Sequence, residues 1–358
     1  MKPIWPAALV TMMLTAGLNT LAAADQTVYV GTRTREGRSQ GLYRLTFNLA
    51  TGAMRDVRLA SATVDPSFLA VHPARALLFS VVATVEGQVR AFAIEPDGGL
   101  RLLNEVSSKG SGPAHIQVDR SGKWVAVANY ISGSAAVYRI EADGRLSEAW
   151  DAVQHAGKSV HERQAGPHAH SVNFSADNRH LYVADLGLDE VKVYDFSAET
   201  GKLTARSSLR TTPGSGPRHL ALGKRRVYVL NEISSSVSVF EAGRLLETVS
   251  ALPGGFQGES TAAEIVVDRA ERFIYTSNRG ADTIAVFRAG SKVRKIGEVK
   301  VGKTPRGFVL SPDGRFLLVA SQAEDTVQAY RVNRTTGLLT AAGGPVKVGS
   351  PICLRFGH

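Results

Sequence analysis

Residues that can transfer protons or bind anions recur at two positions in this sequence. One set lies in or just after short segments opened by proline, and it consists of His115, His168, His170, Arg218, His219, Glu264 and Arg306. The second set follows short apolar segments rich in β-formers, and it consists of Asn129, Asp185, Asn231, Glu232, Asn278, Arg279 and Gln322. Histidine exchanges protons near neutral pH, and arginine binds carboxylates or phosphates through paired hydrogen bonds. If the two sets converge, the sequence predicts an acid–base site for an anionic ligand.

Residue types vary within each set in a way that a simple scaffold does not require. The residue after the proline is small in two places and arginine in two others, namely Ser67, Ala114, Arg218 and Arg306. Tyr130 has the charged counterparts Glu232 and Arg279. A mutual salt bridge of Glu232 with Arg279 is the structural alternative to catalysis.

Three histidines are interpreted as occupying one shared repeat position. These are His115, His170 and His219, and Glu264 is placed at the equivalent position of another copy. A recurring hydrogen bond between repeats is the alternative to catalysis for the histidines. A buried ion pair is the alternative for Glu264.

A repeat of about 50 residues must position these side chains. Its copies open at Pro66, Pro113, Pro167, Pro217, Pro305 and Pro351, and Ala263 takes the place of one proline. After the opening strand come a turn such as 311–314, a β-prone strand such as 316–320, an alternating strand such as 191–194, and a last strand. This repeated order of four strands and their turns predicts an all-β fold, a seven-bladed β-propeller of four-stranded antiparallel blades.

The two ends of the chain predict how the ring closes. The seventh opening, at Pro351, has only an inner strand, whereas 28–32 and 41–54 resemble the missing outer strands. N- and C-terminal strands sharing one blade would leave no free sheet edge. Residues 25–358 are therefore expected to form a single propeller domain. A count of six or eight blades is the alternative, because the copy at Pro66 is weak, and a right-handed β-helix is disfavoured because its repeats are shorter.

Residues 1–24 are predicted to be a signal peptide. Lys2 precedes an apolar stretch over 7–18, and small residues lead to a cleavage site after Ala24. The alternative is an N-terminal membrane anchor, although the apolar stretch is short for a membrane span. The prediction places the mature protein in the periplasm or outside the cell.

Composition excludes several classes of function. The chain has 358 residues, of which 44% are hydrophobic and 21% charged, a globular balance. The formal net charge is +10, but the basic residues are scattered and no nucleic-acid-binding motif accompanies them. Cys353 is the only cysteine, so an internal disulfide and a cysteine metal cluster are excluded. Without a zinc motif, a haem-attachment motif or a calcium-type acidic cluster, no metal or cofactor is expected, and a redox propeller is weakly supported.

With these residues the sequence resembles the lactonase family of seven-bladed propellers. These are the 6-phosphogluconolactonase-like proteins, and the fungal carboxymuconate-lactonizing enzymes are their relatives. The likeness runs from VYVGT to TPRGF, and its most specific stretches are RQAGPHAHSV, VADLGLDEV, GSGPRHL, VLNEISSSV and YTSNRGADTIAVF. The Pro-Cys-His often found at the second anchor is Pro113-Ala114-His115 here. The resemblance implies cofactor-independent chemistry on a lactone that bears an anionic group.

The resemblance also implies which residues form the catalytic site. The family pattern of one histidine, one glutamate and two arginines would be carried by His170, Glu232, Arg218 and Arg279. His168, two positions earlier, leaves the choice of histidine open. Substrate binding is assigned to a further group, namely Arg306, His168, Asn231 and Gln322.

Lactone opening by water needs a base for the water, stabilisation of an oxyanion and an acid for the leaving alkoxide. His170 suits the base, while Glu232 is either the base or a group that orients the histidine and the water. Arg279 could stabilise the oxyanion, and Arg218 and Arg306 could bind a carboxylate or phosphate.

The expected function is hydrolysis of an aldono- or phosphogluconolactone-like sugar lactone by an exported monomer without nucleic-acid or membrane partners. Two alternatives stay open. A lactonizing cycloisomerase would run the same bond change in reverse, and a non-catalytic propeller would bind a ligand or protein partner without turnover.

Overall fold

The computed structural model describes residues 25–357, so the predicted signal peptide lies outside the described residues. Twenty-eight strands form seven four-stranded antiparallel sheets, the blades of a β-propeller. The innermost strand of each blade contacts those of its two neighbours, which closes the ring. Seven blades are confirmed, and the alternatives of six or eight blades or a β-helix are wrong.

The blades are numbered along the chain, and their strands are given from the channel outward. Blade 1 contains β28 (Pro351–Phe356), β1 (Asp25–Thr32), β2 (Gly41–Asn48) and β3 (Met54–Ala62). Blade 2 contains β4 (Leu69–Val71), β5 (Leu77–Val82), β6 (Gln88–Ile94) and β7 (Leu100–Ser107). Blade 3 contains β8 (Pro113–Val118), β9 (Trp124–Asn129), β10 (Ser134–Ile140) and β11 (Leu146–Gln154). Blade 4 contains β12 (Ala169–Phe174), β13 (His180–Asp185), β14 (Glu190–Phe196) and β15 (Leu203–Arg210).

The remaining three blades follow the same order. Blade 5 contains β16 (Pro217–Leu222), β17 (Arg226–Asn231), β18 (Ser236–Glu241) and β19 (Arg244–Ser250). Blade 6 contains β20 (Thr261–Val267), β21 (Phe273–Arg279), β22 (Thr283–Arg288) and β23 (Arg294–Lys300). Blade 7 contains β24 (Pro305–Leu310), β25 (Phe316–Ser321), β26 (Thr326–Val332) and β27 (Leu339–Lys347). Two single-turn 3₁₀ helices span Glu162–Gln164 and Gln322–Glu324.

Burial follows the position of a strand within its blade. The second strand β25, with the sequence FLLVAS, is buried along its whole length, whereas the outermost strand β11 largely alternates between partly buried and exposed residues. The hydrophobic cores lie between neighbouring blades, where Trp124 and Val137 of blade 3 cluster with Phe174 and Phe196 of blade 4. Each blade thus covers the face of the next, so the sequence must be apolar on both faces of its middle strands.

The ends of the described chain meet in blade 1, as the sequence predicts. Strand β1 pairs with β2 on one side and with β28 on the other, and Val30 lies opposite Leu354. One blade is therefore built from both ends of the described chain.

A β-bulge lies near the start of most innermost strands. In blade 3, Pro113 pairs with Asn129 and His115 pairs with Ala128, so Ala114 is the extra residue. The same register shift occurs in blades 1, 4, 5, 6 and 7. A bulge turns the side chain of its extra residue away from the regular alternation, and here it directs a ring of side chains toward one end of the channel.

Candidate active site

A cavity of about 720 Å³, called the entry cavity, lies at the ends of the channel strands where the bulges occur. Six arginines and two carboxylates line it, namely Arg33, Arg35, Arg163, Arg218, Arg279, Arg306, Asp65 and Glu232. His170 and Tyr130 also belong to the lining. The cavity therefore carries a strong excess of positive charge around one titratable histidine.

The bulge residues supply much of the cavity wall. Five of them line it, namely Ala114, His170, Arg218, Arg306 and Ile352, and Ser67 takes the corresponding place in blade 2. Ala263 is the bulge residue of blade 6 and lies outside the lining, but its carbonyl oxygen accepts a hydrogen bond from Arg218 Nη1. The residue after each bulge lies deeper in the channel.

The register corrects the predicted position of His170 in the repeat. Ala169 pairs with Asp185 and Ser171 pairs with Ala184, so His170 is a bulge residue like Arg218. The equivalent of His115 and His219 in this blade is therefore Ser171, and the prediction that the three histidines share one position is wrong. Blade 4 has a longer approach to its inner strand, and this shifts its alignment by two residues relative to the proline.

His168 lies in that longer approach. Its backbone carbonyl accepts from the amide of Leu186, as the carbonyl of Gly216 accepts from the amide of Glu232 in the next blade. Its ring stacks on Tyr130 with centroids 4.6 Å apart, and Nδ1 lies 3.0 Å from the Tyr130 carbonyl oxygen. His168 is outside the cavity lining. Of the two candidate histidines, the structure brings only His170 to the arginines.

Glu232 is the centre of an ion-pair network. Arg279 Nη2 lies 3.1 Å from its Oε2, and Arg163 Nη2 donates to its Oε1 at 2.6 Å. Arg218 Nε is 2.9 Å from Oε2, a charge contact without hydrogen-bond alignment. Burial raises the pKa of Glu232, but Arg279, Arg218 and Arg163 outweigh burial and lower this pKa to about 2. Glu232 is therefore ionised at neutral pH and is too weak a base to deprotonate water.

Arg33 and Arg306 differ from the other arginines of the cavity. Their guanidinium groups form no ion pair or hydrogen bond with any residue of 25–357, and Arg33 Nε is buried without a partner. Burial, together with neighbouring arginines, lowers the pKa of both groups despite nearby carboxylates. Both residues are partly buried and line the cavity, so their guanidinium donors are available, and a bound anion would satisfy them.

His170 lies beside these charges in its neutral form. Burial lowers its pKa well below the ordinary value, and Arg218, His219 and Arg306 lower it further. Its Nδ1 is buried without a hydrogen-bond partner, and its ring lies edge-on to Tyr130 with centroids 5.4 Å apart. A neutral imidazole next to cations can accept a proton at neutral pH, although its basicity is reduced.

A second layer of polar side chains lies below His170 in the channel. His219 Nδ1 is 2.7 Å from Glu264 Oε1, and His219 Nε2 is 3.1 Å from Arg218 Nη1. With Glu264 ionised, His219 donates from Nδ1 and accepts from Arg218 at Nε2, so this pair holds the Arg218 guanidinium in place. Glu264 therefore has a buried partner, as the structural alternative to catalysis requires, but this partner is a neutral histidine that donates a hydrogen bond to the carboxylate.

Beyond that layer the channel widens into a second cavity of about 530 Å³, called the exit cavity. It is lined by the later residues of all seven innermost strands, including Gln117, Asn173 and Arg355. Arg355 Nη1 donates to the Leu354 carbonyl at 2.7 Å, and its guanidinium lies over the Phe68 ring. The charged groups of this cavity thus have partners within the protein.

Like His168, two other predicted substrate-binding residues lie outside the lining of the entry cavity. Asn231 is fully buried, and its Nδ2 donates to Ser236 Oγ at 3.0 Å and Ser238 Oγ at 2.9 Å. Gln322 is buried near Ser350, with 3.4 Å between Nε2 and Oγ. Asn129 and Asn278 are held much as Asn231 is, by a serine or threonine hydroxyl. The recurring asparagine is therefore a feature of blade structure.

Three residues of the entry cavity were not assigned a role from the sequence. Arg33 follows β1 as Glu232 follows β17, so the repeat contained the signal, but the split blade hid it. Tyr130 holds the same place after β9. Arg163 comes from the long connection between β11 and β12, where Gln164 Nε2 donates to the Leu186 carbonyl at 2.7 Å. No repeat position corresponds to Arg163, so periodicity could not predict it.

Residues 25–357 contain no group of three or more His, Cys, Asp or Glu side chains arranged to hold a metal ion. No helix within this range has the length and apolarity to cross a bilayer.

Comparison with known proteins assigns the family. Residues 27–356 match the model of the lactonase family, described as a seven-bladed β-propeller. A 6-phosphogluconolactonase of Bacillus subtilis is 33% identical over 344 residues, which are 92% of this chain and 98% of that protein. The crystal structure of a periplasmic gluconolactonase of Pseudomonas aeruginosa is 33% identical, with a TM-score of 0.86, and the match covers 93% of this chain and 99% of that one.

The fold and the matched residues define a propeller of the lactonase class, and this chain belongs to the lactonase family of seven-bladed β-propellers. A further relative, a 6-phosphogluconolactonase of Formosa agariphila, is 30% identical over 87% of this chain and 94% of its own length. Within its family the chain is a 6-phosphogluconolactonase-like lactone hydrolase.

Proposed function

We propose that the entry cavity hydrolyses a sugar lactone that carries an anionic group, with His170 as the general base. The observation that carries the proposal is the combination of a neutral, partly unsatisfied His170 with two guanidinium groups that have no partner among residues 25–357. A site built for structure alone would pair Arg33 and Arg306, as it pairs Arg163 and Arg279 through Glu232.

The base step uses Nε2 of His170, because Nδ1 is buried and Nε2 is not. Nε2 accepts a proton from water while the water oxygen attacks the lactone carbonyl carbon. Because Arg218 and Arg306 disfavour the imidazolium, His170 returns its proton quickly to the leaving ring oxygen. The ring C–O bond breaks, and water is consumed to give one hydroxyl group and one carboxylic acid, which ionises.

Charge in the transition state is stabilised by preorganised cations. The carbonyl oxygen becomes an oxyanion, and Arg306 is the unpaired cation on the bulge position that corresponds to His170. Glu232 fixes the positions of Arg279, Arg218 and Arg163, so it orients the site without moving a proton. Arg33 is assigned to the anionic substituent of the substrate.

The relatives named above act, by their names, on gluconolactone and on its 6-phosphate. We propose that this chain acts on one of these lactones as a monomer, and that it is exported through the predicted signal peptide. A carboxylate or a phosphate would each satisfy Arg33, and the export prediction favours a substrate available outside the cytoplasm.

The test measures proton release from glucono-δ-lactone and from its 6-phosphate with the purified mature protein, corrected for spontaneous opening. We expect a clear excess over the uncatalysed rate, and we expect His170→Ala to lower kcat by roughly 10²- to 10⁴-fold. Asn173→Ala, in the exit cavity, is the control and should retain the wild-type rate. No excess rate, or an unaffected His170→Ala variant, would refute the proposal.

A further inference from the structure

Three exposed aliphatic residues surround part of the opening of the entry cavity. Val64 is 52% exposed, Val85 67% and Ile131 56%, and all three line this one cavity. They come from three separate loops, before β4, between β5 and β6, and between β9 and β10. We call these three residues the aliphatic rim.

Most other exposed large hydrophobic residues have a different location. Leu59, Leu102, Trp150, Leu245 and Leu246 lie on the outermost strands of blades 1, 2, 3 and 5, and Leu338 directly precedes β27. Scattered residues of that kind are ordinary on a protein surface. The aliphatic rim is different because its members share one concave site, which indicates a ligand contact.

The rim gives one part of the opening an apolar surface. Val64 lies in the connection that leads into blade 2, and Val85 and Ile131 lie in blades 2 and 3. The charged groups beside the rim are paired, since Arg35 contacts Asp65 and donates to the Ala83 carbonyl. Arg306 and Arg33, in blades 7 and 1, have no such partner among residues 25–357. A molecule bound across the opening would therefore meet unpaired guanidinium groups in one part and aliphatic carbon in another.

We infer that the entry cavity also hydrolyses lactones that carry an alkyl substituent, with the substituent packed on the aliphatic rim. This inference rests on the proposed lactone hydrolysis at the same site. Apart from its carbonyl carbon, each ring carbon of gluconolactone bears a hydroxyl or hydroxymethyl group, so it presents little apolar surface to a rim of valine and isoleucine. An alkyl chain loses water contact there, and each fully buried methylene group strengthens binding about fourfold.

The reaction is the same ring opening. Water adds to the carbonyl carbon, the ring C–O bond breaks, and the proton taken by His170 passes to the leaving oxygen. The product is a hydroxy acid with the alkyl group on its carbinol carbon. No oxidant, cofactor or second substrate is required.

The probes are δ-valerolactone and δ-nonalactone, which share one ring and differ by a butyl substituent. Hydrolysis is followed by proton release with the mature protein. If the butyl group is about half buried on the rim, each of its four carbons contributes about twofold, so kcat/KM should be about fifteenfold higher for δ-nonalactone. The triple variant Val64→Thr, Val85→Thr, Ile131→Thr should reduce this ratio to within about twofold of one.

The control is Leu246→Thr, which changes a leucine that is 49% exposed on β19, away from the cavity. It should keep the wild-type ratio, and circular dichroism should show that each variant is folded. A ratio near one in the wild type, or an unchanged ratio in the triple variant, overturns the inference even when gluconolactone is hydrolysed. If a gluconolactone opens while both probes stay closed, the inference alone fails. If gluconolactone, its 6-phosphate and both probes all stay closed, the proposed function fails together with the inference.

Discussion

The two cavities lie along one channel and share five of its innermost strands, yet they differ in how their charges are paired. At the exit cavity, Glu264 contacts His219 and Arg355 rests on Phe68. At the entry cavity, Arg33 and Arg306 have no acceptor among the described residues. The volumes, about 530 and 720 Å³, would not distinguish a solvent-filled channel end from a binding site. The difference in pairing does, because a cation without an acceptor in the protein is available to bind an anionic ligand, whereas a paired cation is not.

The largest difference between the two cavities should appear in the stability of two isosteric variants. Glu232→Gln leaves three arginines around a neutral amide, and we expect it to lower the free energy of unfolding by about 3–5 kcal/mol. Glu264→Gln places a neutral amide beside the neutral His219 and removes only part of the compensation for the charge of Arg218. The expected loss of free energy of unfolding is about 1–3 kcal/mol. Urea denaturation at pH 7 measures both. Equal losses would show that the two carboxylates are equivalent.

Removal of an unpaired cation tests the proposal that Arg306 stabilises the oxyanion in the entry cavity. Arg306→Met keeps the apolar stem and deletes the charge, so we expect kcat/KM for 6-phosphogluconolactone to fall about 10- to 100-fold. Steady-state hydrolysis assays at fixed ionic strength provide the measurement. Unchanged kinetics would mean that the guanidinium does not meet the substrate.

Acid should affect the stability of the entry cavity through Glu232. Its pKa in the folded protein is about 2, below its value in the unfolded chain, so its stabilising contribution is complete above the unfolded pKa and is lost as pH falls toward 2. We expect the wild type to lose more stability between pH 5 and pH 2.5 than Glu232→Gln does, by about 1–3 kcal/mol. Thermal unfolding across this range measures the difference, and parallel curves would contradict it.

The pH dependence of activity should show a smaller effect. The pKa of His170 lies well below its ordinary value because of burial and its cationic neighbours, so the imidazole stays unprotonated on mild acidification. We expect kcat/KM to change by less than about twofold between pH 7.5 and pH 6. A decline with a midpoint near the ordinary histidine pKa would place the catalytic proton on another group.

The smallest effect is expected at the opposite end of the channel. Arg355→Met removes a cation that already has partners in the protein. We expect kcat/KM for both gluconolactones to stay within about twofold of the wild type, in the same assay as Arg306→Met. A loss as large as that of Arg306→Met would erase the distinction between the two cavities.

Much of the fold could be predicted because each blade repeats the same sequence pattern of proline, turns and β-prone strands. The openings at Pro113, Pro217 and Pro305 coincide with the starts of innermost strands, and the split blade follows from an inner strand without outer partners. The bulges were not predicted. Each bulge lies at the start of a short strand, where too few residues precede it for a change in hydrophobic alternation to be visible. The positions of His170 and Ser171 therefore required the hydrogen-bond register.

The candidate site was predictable to the extent that it follows the repeat. His170, Arg218, Glu232, Arg279 and Arg306 lie together because their positions in the blade geometry converge. Asn231 and Gln322 occupy similar positions, but the chain around them supplies hydroxyl or amide partners that hold them within their blades. Arg163 lies on a connection that no other blade has, so only tertiary structure could bring it to Glu232.

The shared blade has a consequence for when the cavity comes into being. Ile352, one wall of the entry cavity, belongs to β28, and this strand docks against the first strand described. A chain whose β28 has not yet docked would hold six whole blades and an incomplete cavity wall. Binding competence should therefore arrive in a single step, when β28 joins blade 1.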